Sequence, residues 1–321
     1  MTRLLGVELT RFRSRRAIAL LLLTGLVITV VVAGATAWNT RGVTDRELRE
    51  AEQTAMAEAE QPYVQDELEA CRENPGDWGV PADDCEGVVV PQPEWFLHRT
   101  PLDLGQERQG SGIGAATVLA GIAIMVGATF AGADWSSGSM SNQLLFESRR
   151  VRVWLAKALA VVLGVALLTL VALAALWGFY FAVASARDVT VAPGTTELIR
   201  GDVLRAVALS AAAGLGGYAL SMLFRSTTGT VAVVFVVAVA GEILTSLLPI
   251  EGRMRFSPSS NVFAVLQDGV EVYDQSLPCA PDSGNCGFLT VGAAHGATYL
   301  ACFLALAVLL SVWSFRHRDV P

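Results

Sequence analysis

The hydrophobic positions of this chain fall into runs of about twenty residues separated by polar stretches. A bilayer core ~30 Å thick is crossed by ~20 helical residues rising ~1.5 Å each. Six runs are long enough: Ala17–Ala37, Ile113–Ala133, Leu155–Phe179, Val203–Phe224, Gly229–Leu248 and Thr290–Trp313. The pattern predicts an all-α polytopic membrane protein with six transmembrane helices, over 17–37, 113–133, 155–179, 203–224, 229–248 and 290–313. Between and beside them lie an N-terminal amphipathic elbow helix (1–16), an acidic insertion (38–112), a coupling segment (134–154), a loop with short helices (249–289) and a tail (314–321).

Orientation follows from where the bases fall. Arg3, Arg11, Arg13, Arg15, Arg16, Arg149, Arg150, Arg152, Lys157, Arg225, Arg316 and Arg318 all lie in or beside segments on one side, against Glu8, Asp134, Glu147 and Asp319. On the other side, 38–111 alone carries seventeen acidic residues against six arginines. Both termini are therefore expected in the cytoplasm, as an even number of spans requires. The insertion 38–112 and the loop 249–289 are expected outside. The five arginines of the N-terminus and the small-residue stretch Ala33-Gly34-Ala35 also resemble a signal peptide. The apolar run is longer than the ~7–15 residues of such a signal, so it is read as a retained span.

Composition narrows the class. Of 321 residues, 53% are hydrophobic and 17% charged, against ~45–50% and ~25% in soluble domains. A single soluble domain, a disordered chain and a fibrous repeat are excluded. The net charge of −7 argues against a nucleic-acid partner. Cys71 and Cys85 fall in the first outer segment, Cys279 and Cys286 in the last, and Cys302 in the sixth span. Four cysteines permit three pairings. The local ones, Cys71–Cys85 and Cys279–Cys286, are favoured because each closes a short loop rich in Pro, Gly and Asp; free thiols are the alternative. Cys302 reads as a buried packing residue.

Several loops carry structure of their own. Leu5, Leu9 and Phe12 recur at helical spacing, as in a helix lying in the inner headgroup layer, or else within an ordinary positive flank. Thr44-Asp-Arg-Glu47 is a capping box that predicts a helix over Leu48–Gln61, continuing after Pro62 to Cys71. This gives a small disulfide-strapped subdomain whose acid is a solvated face or attracts cations. Ser139 is placed to cap a short helix carrying Met140, Leu144 and Leu145, an apolar side in want of a partner. Ser257 precedes a second short apolar helix.

Charges within spans normally face protein or water. Glu242 and Arg205 are expected at similar depth, where they would pair and line an outward pathway or gate; a local Asp202–Arg205 pair competes for the same arginine. The small residues of spans two and four, such as Gly127 and Gly214, favour close helix packing and would also suit a dimer seam. There is no G-x-x-x-x-G-K-[ST] phosphate loop, no H-E-x-x-H, and no nucleophile–base–orienter set. His98, His295 and His317 are scattered. The chain is therefore not read as an enzyme.

Three stretches resemble a membrane subunit of a type 2 ABC exporter. They are Val7–Arg16 (VELTRFRSRR), then Asp134–Ser139 (DWSSGS) with Gln143–Arg150 (QLLFESRR) and Lys157, and finally Phe256–Ser260 (FSPSS). Asp134 stands where the family has Glu, Ser139 where it has Thr, and Ser148 where it has Pro. The resemblance implies two six-span permease subunits, identical or paralogous, in the cell membrane. Each docks on a separate cytoplasmic ABC ATPase, which binds the ATP and Mg; none is held by this chain. The contact would run over the N-terminal helix and Asp134, Ser139, Met140, Leu144, Leu145, Arg149 and Arg150. The other reading is a membrane-anchored sensor or assembly protein that binds a ligand or partner through the acidic outer domain.

Overall fold

The computed structural model describes residues 2–79, 81, 84–97, 99–277 and 287–318. Cys279 and Cys286, like His98, lie outside the described residues, so their expected bond is not seen here. Contacts divide the chain into two compact units, Gly34–Asp103 and Met1–Ala33 with Leu104–Pro321.

The larger unit begins with α1 (Thr2–Ser14), which breaks at Arg15 into α2 (Arg16–Asn39). The smaller unit contains α3 (Asp45–Ala59), α4 (Pro62–Glu73) and α5 (Cys85–Val89). The capping box forms: the Glu47 amide donates to the Thr44 hydroxyl, and the Thr44 amide donates to the Glu47 carboxylate at 3.0 Å. The Thr44 amide and hydroxyl hold the Glu47 carboxyl below its usual range, helped by Arg99 and Arg41. Pro62 starts α4, where its missing N–H costs nothing. The Cys71–Cys85 bond is present, with Cα atoms 5.9 Å apart. It sits among Val64, Leu68 and Val89. So few apolar side chains make a thin core, which the covalent strap reinforces.

The larger unit continues through α6 (Leu104–Glu107) and a π turn over Arg108–Gly112 into α7 (Ile113–Ser136). After it come α8 (Ser139–Phe146), α9 (Arg150–Ala186), α10 (Thr195–Phe224), α11 (Thr227–Leu247), α12 (Pro258–Gln267) and α13 (Ala293–His317). Six helices are long and apolar enough to cross a membrane: α2, the continuous α6–α7, α9, α10, α11 and α13. The protein is a multi-pass membrane protein. Its outward leucines, such as Leu244, Leu247, Leu306 and Leu309, would be untenable against water but suit lipid.

Most of the helices outrun the apolar stretches, although α13 starts at Ala293 rather than at Thr290, because Thr290 and Val291 are taken up in a strand. α9 has 37 residues, or ~55 Å at ~1.5 Å each, and α10 starts at Thr195 rather than Val203. A helix satisfies its own backbone, so it continues past the hydrocarbon through polar residues that hydropathy reads as loop. The chain is also not purely helical. Strand β1 (Val270–Tyr273) pairs antiparallel with β2 (Phe288–Val291), with Val270 opposite Val291 and Tyr273 opposite Phe288. Leu289 and Val291 pack on Ala264 of α12, which Ser257 caps by accepting from the Ser260 amide at 3.2 Å.

One core joins α1, α2, α7, α8, α9, α10 and α13, through Phe12, Ile18, Phe130, Met140, Trp154, Tyr218 and Phe315 among others. The small residues of α7 and α10 meet each other within the chain. A Cβ on Gly127 would stand 2.0 Å from the Gly214 carbonyl oxygen. Cys302, expected inside, is exposed on α13, because that helix turns another face inward, with Gly296, Ser311, Ser314 and Phe315 buried and Ala307, Val308 and Val312 packed on the core.

This packing separates two glycine-to-alanine substitutions in one helix. Gly127→Ala drives a methyl into backbone that cannot move aside, and should cost about 1–3 kcal/mol or more. Gly121→Ala, with nothing within 4 Å, should be neutral or gain up to ~1 kcal/mol in helix propensity. Unfolding of the two purified variants in detergent measures the difference.

Candidate functional site

α7 ends in a tight turn, where Gly138 adopts φ 69°, and α8 begins directly after it at Ser139. Asp134 lies in the last turn of α7, where the helix dipole disfavours an acid. Its carboxylate is compensated from three directions. Lys157 Nζ of α9 donates to one oxygen at 2.5 Å. Ser139 Oγ of α8 donates to the other at 2.8 Å, and Arg15, at the α1–α2 junction, pairs with that same oxygen.

Lys157 also donates to Glu8 of α1 at 2.9 Å. Glu8, Asp134 and Lys157 are each 0% exposed at the side chain. Glu8 accepts a second hydrogen bond from Gln143 Nε2 of α8 at 2.5 Å. Arg11 donates to Gln143 Oε1 at 3.2 Å, and Arg15 to the Phe130 carbonyl at 2.5 Å. The Phe130 ring lies beneath both cations, 4.9 Å from Arg15 and 5.2 Å from Lys157. Two acids thus meet Lys157 and Arg15 in a closed polar cluster contributed by α1, the α1–α2 junction, α7, α8 and α9. About two turns along α9 from Lys157, the Phe12 ring fills the space over Gly164, where a Cβ would lie 2.5 Å from it. The predicted apolar face of α1 is therefore at least partly turned into the protein.

The expected coupling residues divide into inner and outer sets. Asp134 is in the cluster. Ser139 does not cap α8: Gly138 holds the cap position, and Ser139 is the first helical residue, bonded to Asp134 instead. Met140 is 1% exposed and Leu144 packs on the core. Leu145 (83% exposed) and Phe146 (93% exposed) point outward. Arg149 is exposed, as is Arg152. Arg150 does not join them. It donates to the carbonyls of Phe315 at 3.1 Å and Arg318 at 2.6 Å, capping the C-terminal end of α13.

Arg205 and Glu242 are not brought together as a pair. Arg205 donates to Asp202 at 2.6 Å, and Asp202 also accepts from Arg108 at 3.0 Å. Glu242 accepts from the Ser257 hydroxyl at 2.7 Å and the Ser259 amide at 2.6 Å, so it fastens α11 to the start of α12. Among the described residues, no group of three or more His, Cys, Asp or Glu is placed to hold a metal ion.

Sequence reasoning left Glu8, Arg15, Gln143, Lys157 and Phe146 off the list of site residues. One signal was available: Lys157 is the only lysine in a chain with 22 arginines. A compact ammonium fits between two carboxylates in a closed space where a planar guanidinium does not.

Removing one partner of a buried ion pair strands the other, at about 3–5 kcal/mol. Lys157→Met should show that loss in thermal unfolding, and Lys157→Arg should also destabilise. Glu8→Gln with Lys157→Met should cost less than the sum of the two alone; strict additivity would mean that the pair does not interact. Compared with protein-family models, with curated proteins and with solved structures, the chain matches none.

Proposed function

We propose that this chain is the membrane-spanning permease subunit of an ATP-driven ABC exporter, coupled to a separate cytoplasmic ATPase. The observation that supports this reading best is the construction of α8. It is a short helix held rigidly on its inner side, by Ser139 and Gln143 in the buried charge cluster and Met140 in the core. On its outer side it offers Leu145 and Phe146. A helix fastened to several spans and bare at its tip suits a lever: a push on the tip moves the helices behind it.

In this reading both termini and α8 lie in the cytoplasm, and Gly34–Asp103 lies outside. Leu145 and Phe146 enter an apolar recess on the ATPase, and Arg149 and Arg152 meet acidic groups at its rim. Closure of two ATPases around ATP and Mg would then drive two permease subunits between inward-open and outward-open states. The push passes from α8 through Lys157 to α9. From there Trp154 donates to Ser311 of α13 at 3.1 Å and accepts at its carbonyl from Tyr218 of α10 at 3.0 Å. Glu242 serves this machine as a tie between α11 and α12 rather than as a partner of Arg205.

A second reading, a sensor or assembly protein, is favoured by one feature. The unit Gly34–Asp103 contains an open groove of about 390 Å³ lined by Val43, Ala51, Thr54, Phe96, Leu97 and Arg99 among others, within the size range of small-ligand sites.

Co-purification separates the two. Leu145→Asp with Phe146→Asp should abolish capture of an ABC ATPase subunit encoded beside the chain while leaving the unfolding temperature unchanged. Met140→Asp should instead unfold the α8 region. Undiminished ATPase capture by the Leu145→Asp, Phe146→Asp variant would defeat the exporter reading of α8.

A further inference from the structure

The charged residues of α1 lie on two opposite faces. Glu8, Arg11 and, at the junction, Arg15 point inward to the buried cluster. Arg3, Gly6, Val7, Thr10, Arg13 and Ser14 recur at helical spacing on the outer face, and all are exposed. Arg16 opens α2 and is exposed as well. Arg3, Arg13 and Arg16 have no ion-pair or hydrogen-bond partner among the described residues. The acids near them are spent inside: Glu8 and Asp134 are both fully buried. The row is therefore cationic without local compensation.

Its position says what covers it. On α2, Arg16 heads an exposed stripe at i, i+4, i+7, i+11 and i+14: Leu20 (63% exposed), Leu23 (55%), Val27 (51%) and Val30 (70%). Such a stripe on a membrane-spanning helix faces acyl chains. Leu20 is one turn from Arg16, ~6 Å along the axis. That puts the guanidinium at the level where acyl chains give way to phosphates, and Arg13 lies just before it. A guanidinium fork matches phosphate oxygens two at a time.

We propose that Arg3, Arg13 and Arg16 form a docking row for the phosphate headgroups of anionic phospholipids. Lipid then holds one face of α1 while the Glu8–Lys157 contact holds the other. The inference stands apart from the exporter reading, since it needs only the membrane.

The test uses the full chain in phosphatidylcholine nanodiscs with spin-labelled phosphatidylglycerol or spin-labelled phosphatidylcholine as probe. The fraction of immobilised lipid is read by electron paramagnetic resonance. The wild type should prefer phosphatidylglycerol. Each arginine neutralised in R3Q/R13Q/R16Q should lower that preference by up to about fivefold. R3K/R13K/R16K should keep most of it, and R149Q/R152Q, beside Leu145 and Phe146, should leave it unchanged. An unaltered preference in R3Q/R13Q/R16Q overturns the proposal, and so does an equal loss in R149Q/R152Q, which would make the effect a diffuse positive collar. Retained lipid preference with lost ATPase capture would make the row a protein-docking face and likewise reject it. Unfolding of R3Q/R13Q/R16Q would also count against it, because the row bonds to nothing among the described residues.

Discussion

Lys157 Nζ lies 2.9 Å from Glu8 and 2.5 Å from Asp134, and the side chains of all three are closed off from solvent. An ammonium and two carboxylates taken out of water each carry a desolvation penalty of several kcal/mol, recovered only where the geometry pairs them closely and hydrogen bonds satisfy what remains. Here the remainder is met by Gln143 on Glu8, and by Ser139 and Arg15 on Asp134. The consequence is positional. Glu8, Lys157 and Asp134 sit on three different helices, and of the three side chains that complete their bonding, Gln143 and Ser139 sit on α8 and Arg15 at the α1–α2 junction. None of these elements can shift alone without stranding a charge. A purely apolar contact would let α8 slide at little cost, whereas the ion cluster fixes its register. The same physics explains why α1 is charged on both faces rather than amphipathic in the ordinary sense.

What the sequence made legible was local or one-dimensional. Six runs of about twenty apolar residues are visible because the bilayer sets their length. The Thr44–Glu47 box and the Ser257 cap are visible because both partners lie within three residues of each other. The Cys71–Cys85 bond is visible because it closes a short loop. The charge cluster is different in kind. Glu8 and Lys157 are 149 positions apart, and no periodicity marks a residue whose burial depends on four other segments. Helical spacing showed that Met140, Leu144 and Leu145 share a side of α8, yet it could not say that the core takes the first two and leaves Leu145 with Phe146 outside. The hairpin was missed because Val270–Tyr273 and Phe288–Val291 are four residues each, too short to show alternation.

The remaining charges near the hydrocarbon are settled by neighbours at the ends of elements. Arg205 takes Asp202 one turn away, and Asp202 in turn reaches Arg108 in the π turn. Glu242 caps the start of α12, and Arg150 caps the end of α13. Glu242 and Arg150 each answer backbone groups that a helix end leaves unmet. The outer groups of α8 and the arginine row of α1–α2 are two exposed surfaces on this end of the larger unit. The first suits a protein recess and the second a phosphate layer, and the rigid cluster between them ties the two surfaces together.

The distance between α1 and α8 measures that tie directly. Spin labels at the exposed positions Val7 and Leu145, in a chain whose unpaired cysteines are replaced, report the distribution of separations by pulsed electron resonance. With Lys157 in place a single narrow distribution is expected, and Lys157→Met should broaden it or split it into two. Equal widths with and without the ammonium would contradict the claim that this buried contact holds the two helices in register.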